Sequence, residues 1–424
     1  MNNRKRVLIV NSHSIKENNS TGLTLRSIVD FFKNEDVLEV YYFPITKHSG
    51  WNEIQSLKLE NNTKLIYNLI TKVYKGKIKN DITEKIVEDE INNKPSLLKK
   101  TKNIILAYDD FLEPQIEYNQ DILKKISEFK PEVIYTLGAS IFSLNLAYYF
   151  SVKYNIPIVL HHMDNWRETT YSKLPFGRYP RKKLLHLLEK VESRMNYGMA
   201  ISDEMASKYE QITGRNYLSL MHTVQIDNLS LRKSKIANTV NFAYAGGLHL
   251  ERWKVLKDIE KAIKELKITN KDVCLNIFTT QSDKAKYEDQ FDECIVKFHD
   301  YLPHNEVYKI YDLADILVHV ESFDPEIIKF TKFSLSTKIP EYLASGRPIL
   351  CYAPMNIASS KYILNSKSGL SVSNYTQLID ATKRLIEDDN LREVMGKNGI
   401  DTAFKKHSQE YKCKIMNKVF ELEG

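Results

Sequence analysis

Apolar residues in this chain fall into short runs of strand length, separated by stretches in which apolar positions recur at helical spacing. Such alternation predicts an α/β fold in which parallel sheets are covered by helices on both faces. The predicted strands are Val7–Val10, Ile104–Ala107, Val133–Leu137, Ile156–Leu160, Val240–Ala245, Cys274–Phe278, Ile316–Val320 and Pro348–Tyr352.

This series of strands and helices occurs twice, before and after the polar stretch Asp227–Thr239. A chain of 424 residues also exceeds the size at which a single hydrophobic core keeps growing. We therefore predict two Rossmann-like, doubly wound domains, residues 1–228 and 229–404, that face a central cleft at the carboxyl ends of their strands. The C-terminal helix, residues 405–424, is expected to pack back on the first domain.

The stretch Val133–Val152 has no charged residue and is long enough to cross a membrane. Polar residues interrupt it, however, and it divides into a strand, a turn at Gly138 and an amphipathic helix. We therefore expect no transmembrane segment here. The composition, with 42% hydrophobic and 27% charged residues, is that of a globular protein.

The four cysteines are far apart and form no CxxC motif, so neither a disulfide framework nor a metal site is predicted. A reducing cytoplasm fits this pattern best. The net charge of +7 is modest, but basic residues gather at Lys72–Lys79 and Lys99–Lys102. These are either a solvated helix face or a surface weakly attracted to an anionic membrane, which would make the protein peripheral at the inner face of the cell membrane. No nucleic-acid-binding motif accompanies the charge, so no nucleic-acid partner is expected.

The most informative segment is Ser334–Leu350, SLSTKIPEYLASGRPIL. Its Ser/Thr cluster can cap a helix, and Pro340 is tolerated in a first turn because the first N–H groups have no intrahelical partner. Those N–H groups and the helix dipole favour phosphate. Glu341 lies close to the same helix end, where its two oxygens can accept both hydroxyls of a ribose diol. The segment therefore predicts a nucleotide-sugar site.

A second candidate follows the strand in Asn241–Leu248, NFAYAGGL. Gly246 and Gly247 allow the backbone to come close to a diphosphate, and Arg252 and Lys254 supply cations one turn further on. The alternative is a surface-charged helix start. Further along the chain, the loop at Tyr301 and Leu302 is expected to line a base pocket.

In the first domain, a buried strand ends in the sequence HHMDNW, which contributes His161, His162, Asp164 and Trp166. Either histidine alone is more typical of a core residue, but the cluster at a strand's carboxyl end favours a functional site.

Three weaker signals have ordinary structural explanations. The loop that contains Ser20, Thr21 and Gly22 is either a donor-contacting loop or a simple βα turn. Ser202 and Asp203 are explained as helix caps. The pair Asp109–Asp110 is more typical of a solvated loop than of a metal site.

Taken together, these segments resemble the retaining glycosyltransferases of the GT-B group, specifically family four, many of which build capsules, exopolysaccharides and lipopolysaccharides. The resemblance covers most of the chain. Its most specific parts are STKIPEYLASGRPIL, YAGGLHLERW, YLPHNEVYKIYDLADILV, HHMDNW and GKNGIDTAFKKHS.

The resemblance implies a UDP-sugar donor bound in the second domain, a saccharide or lipid-linked acceptor bound in the first, and no metal. It implies that Glu341 holds the ribose and that Arg252 and Lys338 hold the diphosphate. The implied catalytic residues are Arg252, Lys338, Glu341, His162 and Asp164. The implied donor-binding residues are Gly22, Gly246, Gly247, Arg252, Lys254, Tyr301, Leu302, Ser336, Thr337, Lys338, Ile339 and Glu341. The implied acceptor-side residues are His161, His162, Asp164 and Trp166.

The chain departs from the family pattern at two places. Where the family often has a first Glu, eight positions before the second, this chain has Phe333; Asp324 and Glu326 are the nearby candidates to replace it. The sequence HTVQID at His222–Asp227 lacks the family's Asn-Gly. Two other functions therefore stay open, a nucleotide-sugar epimerase or phosphorylase and a non-catalytic nucleotide-binding partner in a polysaccharide assembly complex.

Overall fold

The computed structural model of the chain describes residues 5–16, 20–42, 45, 49–51, 53–59, 120–224, 239–266, 271–303 and 306–422. Several sequence predictions lie outside these residues. They are the strand Ile104–Ala107, the pair Asp109–Asp110, the basic regions Lys72–Lys79 and Lys99–Lys102, and nearly all of the linker Asp227–Thr239.

The chain folds into two compact units. The first comprises Met1–Ala200, Ser207–Leu218 and Met416–Gly424, and the second comprises Ile201–Ala206 and Ser219–Ile415. The second unit also takes a short segment from the first half of the chain, and the predicted boundary between residues 228 and 229 lies outside the described residues. At the C-terminus, the residues from Met416 onward belong to the first unit.

The first unit is built on a seven-stranded sheet of order β3-β2-β1-β4-β5-β6-β7. The paired strands run parallel from β3 to β6. The strands are β1 Val7–Asn11, β2 Val37–Tyr41, β3 Gln55–Lys58, β4 Val133–Leu137, β5 Ile158–His162, β6 Tyr197–Ala200 and β7 Asn216–Ser219. The described helices in this part of the chain are α1 Ser20–Val29, α2 Gln120–Phe129, α3 Ile141–Tyr154, α4 Trp166–Thr169, α5 Arg178–Glu192 and α6 Asp203–Thr213.

The second unit is built on a six-stranded sheet of order β10-β9-β8-β11-β12-β13, and every pair in it is parallel. Its strands are β8 Thr239–Ala245, β9 Asp272–Thr279, β10 Val296–Asp300, β11 Ile316–Val320, β12 Ile349–Tyr352 and β13 Gly369–Val372. The described helices in this part of the chain are α7 Arg252–Leu266, α8 Gln281–Tyr287, α9 Tyr308–Leu313, α10 Pro325–Thr331, α11 Lys338–Ala344, α12 Ala358–Ser366, α13 Tyr375–Glu387, α14 Asp389–His407 and α15 Gln409–Phe420, the last of which crosses into the first unit at Met416. The predicted fold class, two parallel-sheet Rossmann-like domains, is confirmed.

The uncharged stretch from 133 onward folds into buried strand β4 and a helix, α3, as predicted, but the helix is buried over most of its length rather than amphipathic. Ser140 caps this helix by accepting a hydrogen bond from the Ser143 N–H at 3.1 Å. Within the described residues, no helix combines the length and apolar character that a membrane span requires.

The order of the two sheets determines where a site can form. In each sheet, the early strands are added on one side of the first strand and the later strands on its other side. The change of side lies between β1 and β4 in the first sheet and between β8 and β11 in the second. Ligands of open α/β sheets bind at the carboxyl ends of strands at such a switch point. In the second unit this point lies between the end of β8, at Ala245, and the end of β11, at Val320.

We predict that Asp388→Ala destabilises the second unit. Asp388 caps α14 by accepting a hydrogen bond from the Leu391 N–H at 2.8 Å. Loss of such a cap costs about 1 kcal/mol, which corresponds to a fall in melting temperature of about 2–4 °C. Calorimetry should detect this fall. Asp401→Ala, which removes an exposed carboxylate from the interior of the same helix, is the matched control. An equal effect of both substitutions would contradict the capping role.

Candidate active site

The backbone directly after β8 comes unusually close to a lysine side chain. Gly246 has a φ of +144°, a conformation that side chains rarely permit, and its N–H donates to the Phe278 carbonyl at 2.9 Å. A Cβ at this position would lie 1.8 Å from Lys338 Nζ. The backbone conformation therefore favours glycine here, and the ammonium group of Lys338 occupies the space that a side chain would take.

Lys338 is the first residue of α11, and its ammonium lies 4.9 Å from the centre of the Tyr244 ring. No carboxylate oxygen lies within ion-pair distance of Lys338 Nζ among the described residues. The pKa of Lys338 is lowered to about 8, chiefly by loss of water around the ammonium and also by the charge of Arg252, whereas Glu321 and Glu341 oppose the change. Lys338 is therefore a cation at pH 7 that faces protein backbone rather than a partner acid.

Arg252 begins α7 and is paired with a carboxylate that the sequence analysis did not identify. Its Nη2 donates to Glu321 Oε1 at 2.9 Å and to Oε2 at 3.0 Å, and its Nε donates to Oε2 at 3.3 Å. Glu321 directly follows β11 and is only 4% exposed. Burial alone would lower the pKa of Arg252, but the contact with Glu321 outweighs it and raises that pKa.

His319 lies beside this pair, with Nε2 3.7 Å from Glu321 Oε1. Burial, together with the charges of Arg252 and Lys338, lowers the pKa of His319 to about 3. The imidazole is therefore neutral at pH 7. Its Nε2 has no hydrogen-bond partner within the described part of the chain.

Glu341 lies one turn after Lys338 on α11, as the sequence predicted. Its Oε2 accepts a hydrogen bond from the Tyr311 hydroxyl at 2.6 Å, and its Oε1 lies 3.9 Å from His222 Nε2. Burial and the neighbouring carboxylate hold the pKa of Tyr311 well above its usual range, so the hydroxyl remains a donor. Tyr311 thus fixes one oxygen of the carboxylate.

The start of α11 differs in one respect from the prediction. Thr337 occupies the N-cap position with helical φ and ψ, and its side chain makes no capping hydrogen bond. Instead, the Ile339 N–H in the first turn donates a hydrogen bond to the Ser336 carbonyl at 3.0 Å. Pro340 does lie in the first turn, and Gly346 follows the helix with a φ of +70°, both as predicted.

The other predicted donor residues of this unit are spread over the surface and core. Lys254 is exposed and pairs with Glu251 at 2.5 Å. Tyr301 is 61% exposed, and Leu302 is partly buried against the core. The Ile339 side chain is fully buried, so only its backbone can meet a ligand.

The acids suggested as replacements for the family's first Glu have local structural roles. Asp324 caps α10 by accepting hydrogen bonds from the N–H groups of Glu326 and Ile327 at 2.8 and 3.1 Å. Glu326 pairs with Lys329. Phe333 is itself buried, and its carbonyl accepts a hydrogen bond from the Ser202 hydroxyl at 2.5 Å.

In the first unit, the two predicted histidines are core residues of β5. His161 and His162 have no exposed surface, and burial lowers the pKa of both, that of His161 to about 3. His161 Nδ1 is hydrogen-bonded to the Tyr135 hydroxyl at 2.6 Å. The His162 ring lies 4.2 Å from that of Tyr209 and would collide with any Cβ at Gly138. These contacts favour a structural role in the core, rather than a role in a functional site, for both histidine side chains.

The remaining predictions from the first half of the chain concern surface or helix residues. Asp164 is exposed, and its carbonyl accepts from the Trp166 N–H at 2.8 Å as α4 begins. Gly22 lies in the first turn of α1 rather than in the preceding loop. Ser202 caps α6, as predicted, by accepting from the Met205 N–H at 3.1 Å.

Sequence reasoning missed Glu321, His319, Tyr311 and Tyr244, and assigned no site role to His222. A signal existed for Glu321, because an acid directly after a fully buried strand is the same pattern that drew attention to Asp164. No comparable signal marks Tyr311, whose role depends on how α9 packs against α11. Among the described residues, no group of three or more His, Cys, Asp or Glu side chains is arranged to hold a metal ion.

We predict that Lys338 titrates near pH 8, well below the value of about 10.4 for an ordinary lysine. Amine acylation at a series of pH values, followed by mass spectrometry of the Lys338 peptide, measures the neutral fraction directly. Reactivity should rise through pH 8, because only the neutral amine reacts. A midpoint near the ordinary lysine value would contradict the desolvated environment.

Comparison with known proteins identifies a family that part of the chain matches and solved structures that share its fold. Residues 233–402 match the family described as Glycosyl transferases group 1. No curated protein sequence gave a match. Among solved structures, sucrose-phosphate synthase from Thermosynechococcus elongatus is 11% identical with a TM-score of 0.60, and the match covers 98% of each chain. Anabaena Alr3699/HepE in complex with UDP is 12% identical with a TM-score of 0.61, again over 98% of each chain.

A third similar structure is that of the lipopolysaccharide outer core galactosyltransferase WaaB, which is 12% identical over 98% of this chain and 99% of that chain, with a TM-score of 0.59. Identities this low establish the fold alone. The chain therefore has the fold of the GT-B glycosyltransferases, and its residues 233–402, which carry the candidate site, match the glycosyl transferases group 1 family.

Proposed function

We propose that this protein is a retaining glycosyltransferase that moves a sugar from a nucleoside diphosphate sugar, a UDP-sugar, to a saccharide or lipid-linked saccharide acceptor in surface polysaccharide synthesis. One observation carries the proposal. Lys338, a cation with no carboxylate within ion-pair distance among the described residues, and Glu341, a fixed carboxylate, lie one turn apart on α11 beside the backbone of Gly246.

The spacing of these groups matches the order of groups in a nucleoside diphosphate. Residues three apart on a helix lie on the same face. Lys338 would therefore meet the diphosphate while Glu341 accepts hydrogen bonds from the adjacent ribose hydroxyls. Because Tyr311 already orients the carboxylate, little side-chain freedom is lost when the ribose binds.

The proposed chemistry needs a stabilised leaving group more than a nucleophile on the protein. The acceptor hydroxyl oxygen bonds to the anomeric carbon on the face from which the nucleotide departs. The bond from that carbon to the β-phosphate oxygen breaks, its electron pair stays on the phosphate, and the acceptor proton moves to that oxygen. The charge that builds on the diphosphate is what Lys338, Arg252 and the backbone N–H groups would stabilise, and the proposal assigns this role to them rather than to a metal.

The energetic contribution of such groups is limited. Each well-placed donor supplies about 3 kcal/mol, whereas enzymes typically lower barriers by about 8–23 kcal/mol. Two or three donors therefore reach only the lower part of that range. Orientation of the acceptor must supply much of the remainder.

The similar structures support this choice of donor and acceptor. Alr3699/HepE was solved with UDP and also with UDP-glucose, and WaaB is named as a galactosyltransferase of the lipopolysaccharide outer core. The proposal extends these donor and acceptor classes to the present chain.

We predict that Lys338→Met and Glu341→Gln each reduce donor turnover at least about 100-fold, since each removes a group that contacts charge or the ribose in the transition state. Transfer from UDP-sugars to an oligosaccharide mixture is the measurement, with circular dichroism as the check on folding. Lys254→Met removes an exposed lysine of the same unit and is the matched control.

Wild-type turnover by both variants would refute the site assignment. Two other outcomes would favour the other functions: conversion of the donor without any acceptor indicates an epimerase, and nucleotide binding without turnover on any acceptor indicates a non-catalytic partner.

Peripheral contact with an anionic membrane is part of the proposal, and a surface on the first unit supports it. The loop before α5 presents Phe176, 80% exposed, and the first turns of α5 present Tyr179, 67% exposed, with the exposed basic residues Arg178 and Lys182. Phe176 has a φ of +53°, a strained conformation for an aromatic residue. Aromatic rings next to basic side chains suit the headgroup region of a bilayer.

We predict that the full-length protein floats with vesicles containing phosphatidylglycerol but not with pure phosphatidylcholine vesicles, and that flotation weakens at high salt. The variant Phe176→Ser/Arg178→Gln/Lys182→Gln should lose most of this binding. Phe404→Ser/Lys405→Gln, which changes an exposed aromatic and a lysine on α14, is the control and should bind like wild type. Equal binding by both variants would contradict the role of this surface.

A further inference from the structure

The pair formed by Arg252 and Glu321 lies where a diphosphate would need a cation. Arg252 has five N–H donors. Those on Nε and Nη2 make the three hydrogen bonds to Glu321 described above. A phosphate group can therefore engage Arg252 fully only if it displaces part of the contact with Glu321.

Charges of both signs surround Gly246 before any ligand binds, and Asp283, which accepts from the Leu248 N–H at 2.8 Å, is one of the acids. Arg252 and Lys338 are the cations, and Glu321 and Glu341 are the acids that act on Lys338. Between the cations, His319 is neutral at pH 7 and adds no charge. Glu321 is the more deeply buried of the two acids, at 5% side-chain exposure against 20% for Glu341.

A buried carboxylate repels added negative charge more strongly than an exposed one, because less water screens the interaction. The two nucleotides of the reaction differ in this respect. A free nucleoside diphosphate carries about three negative charges, whereas the sugar ester carries about two, because esterification removes an ionisable oxygen. Repulsion from Glu321 therefore acts more strongly on the product than on the donor.

We propose that Glu321 is a specificity-determining residue of the donor site, an inference that rests on the proposed function. It competes with the diphosphate for Arg252, and so favours the nucleotide sugar over the free nucleoside diphosphate. After transfer, this competition limits how tightly the product is held and promotes its release. Without Glu321, Arg252 and Lys338 would both be available to the more highly charged product.

Substitution of Glu321 tests this inference. Glu321→Gln keeps the size and the hydrogen-bonding oxygen but removes the charge. Calorimetric titration of the full-length protein with UDP and with UDP-glucose, without acceptor and at constant pH and salt, should show UDP bound roughly threefold to tenfold more tightly than by wild type. UDP-glucose should gain less, so that the ratio of the two dissociation constants changes. Product inhibition by UDP should strengthen in parallel.

A second substitution separates charge from geometry. Glu321→Asp keeps the negative charge near Arg252, so the ratio of the two dissociation constants should stay closer to that of wild type than it does in Glu321→Gln. Weaker UDP binding by Glu321→Gln, an equal change for both nucleotides, or the same altered ratio in both variants would overturn the inference. If Glu321→Gln does not fold, Glu321→Ala, which also removes the charge, is measured in its place with the same expectation. Failure of the wild-type protein to bind either nucleotide would instead refute the proposed function.

Discussion

The candidate site depends on one close approach, that of the Lys338 ammonium to the backbone at Gly246. A partly desolvated ammonium normally pairs with a carboxylate, because its loss of hydration must be offset. Here the offset comes from the face of the Tyr244 ring and from two acids too distant to form an ion pair. The lowered pKa of Lys338 shows that these groups offset its lost hydration only in part, and a bound anion would supply the remaining stabilisation.

The groups around Lys338 are held by contacts that do not involve a ligand. Tyr311 is fixed relative to α11 in three ways. Its hydroxyl donates to Glu341, its ring packs edge-on against Tyr342 with centroids 5.9 Å apart, and its carbonyl accepts from Arg347 Nε at 3.1 Å. The Tyr342 hydroxyl in turn accepts from the Ala245 N–H at 3.3 Å, which connects α11 to the end of β8. The second unit thus presents a pre-organised surface, in which the carboxylate and the ammonium are positioned by the packing of α9 and α11.

The sequence was most informative where burial is complete. Strands β4 and β11 are buried along their whole length and agree with the predicted residues at both ends, because strands of a parallel sheet are covered on both faces and read as continuous apolar runs. Strand β2 was missed since Glu39 interrupts its apolar run. In the structure this carboxyl is buried and accepts hydrogen bonds from the Ile15 N–H and the Ser14 hydroxyl, and burial raises its pKa.

How well the sequence predicted the candidate site differs from one of its residues to the next. Glu341 and Lys338 share one helix, so their spacing in the sequence fixes their relation in space. The partner of Arg252 lies 69 positions away, and only the order of β8 and β11 in the sheet brings Glu321 beside it. The histidines of β5 illustrate the opposite case, because proximity to a strand end does not determine whether a side chain points toward solvent or into the core.

The short segment Ile201–Ala206 has a consequence for how the second unit can be isolated. Residues 207–218 of the first unit separate it from the rest of the second unit, yet Ser202 donates to the buried Phe333 carbonyl, and Glu204 pairs with Lys361 at 2.6 Å. A recombinant fragment cut at the midpoint of the chain would lack both contacts and would leave a buried carbonyl without its hydroxyl donor. The second unit is therefore discontinuous in sequence, and gene truncation or domain exchange with a relative would need to carry this six-residue segment along.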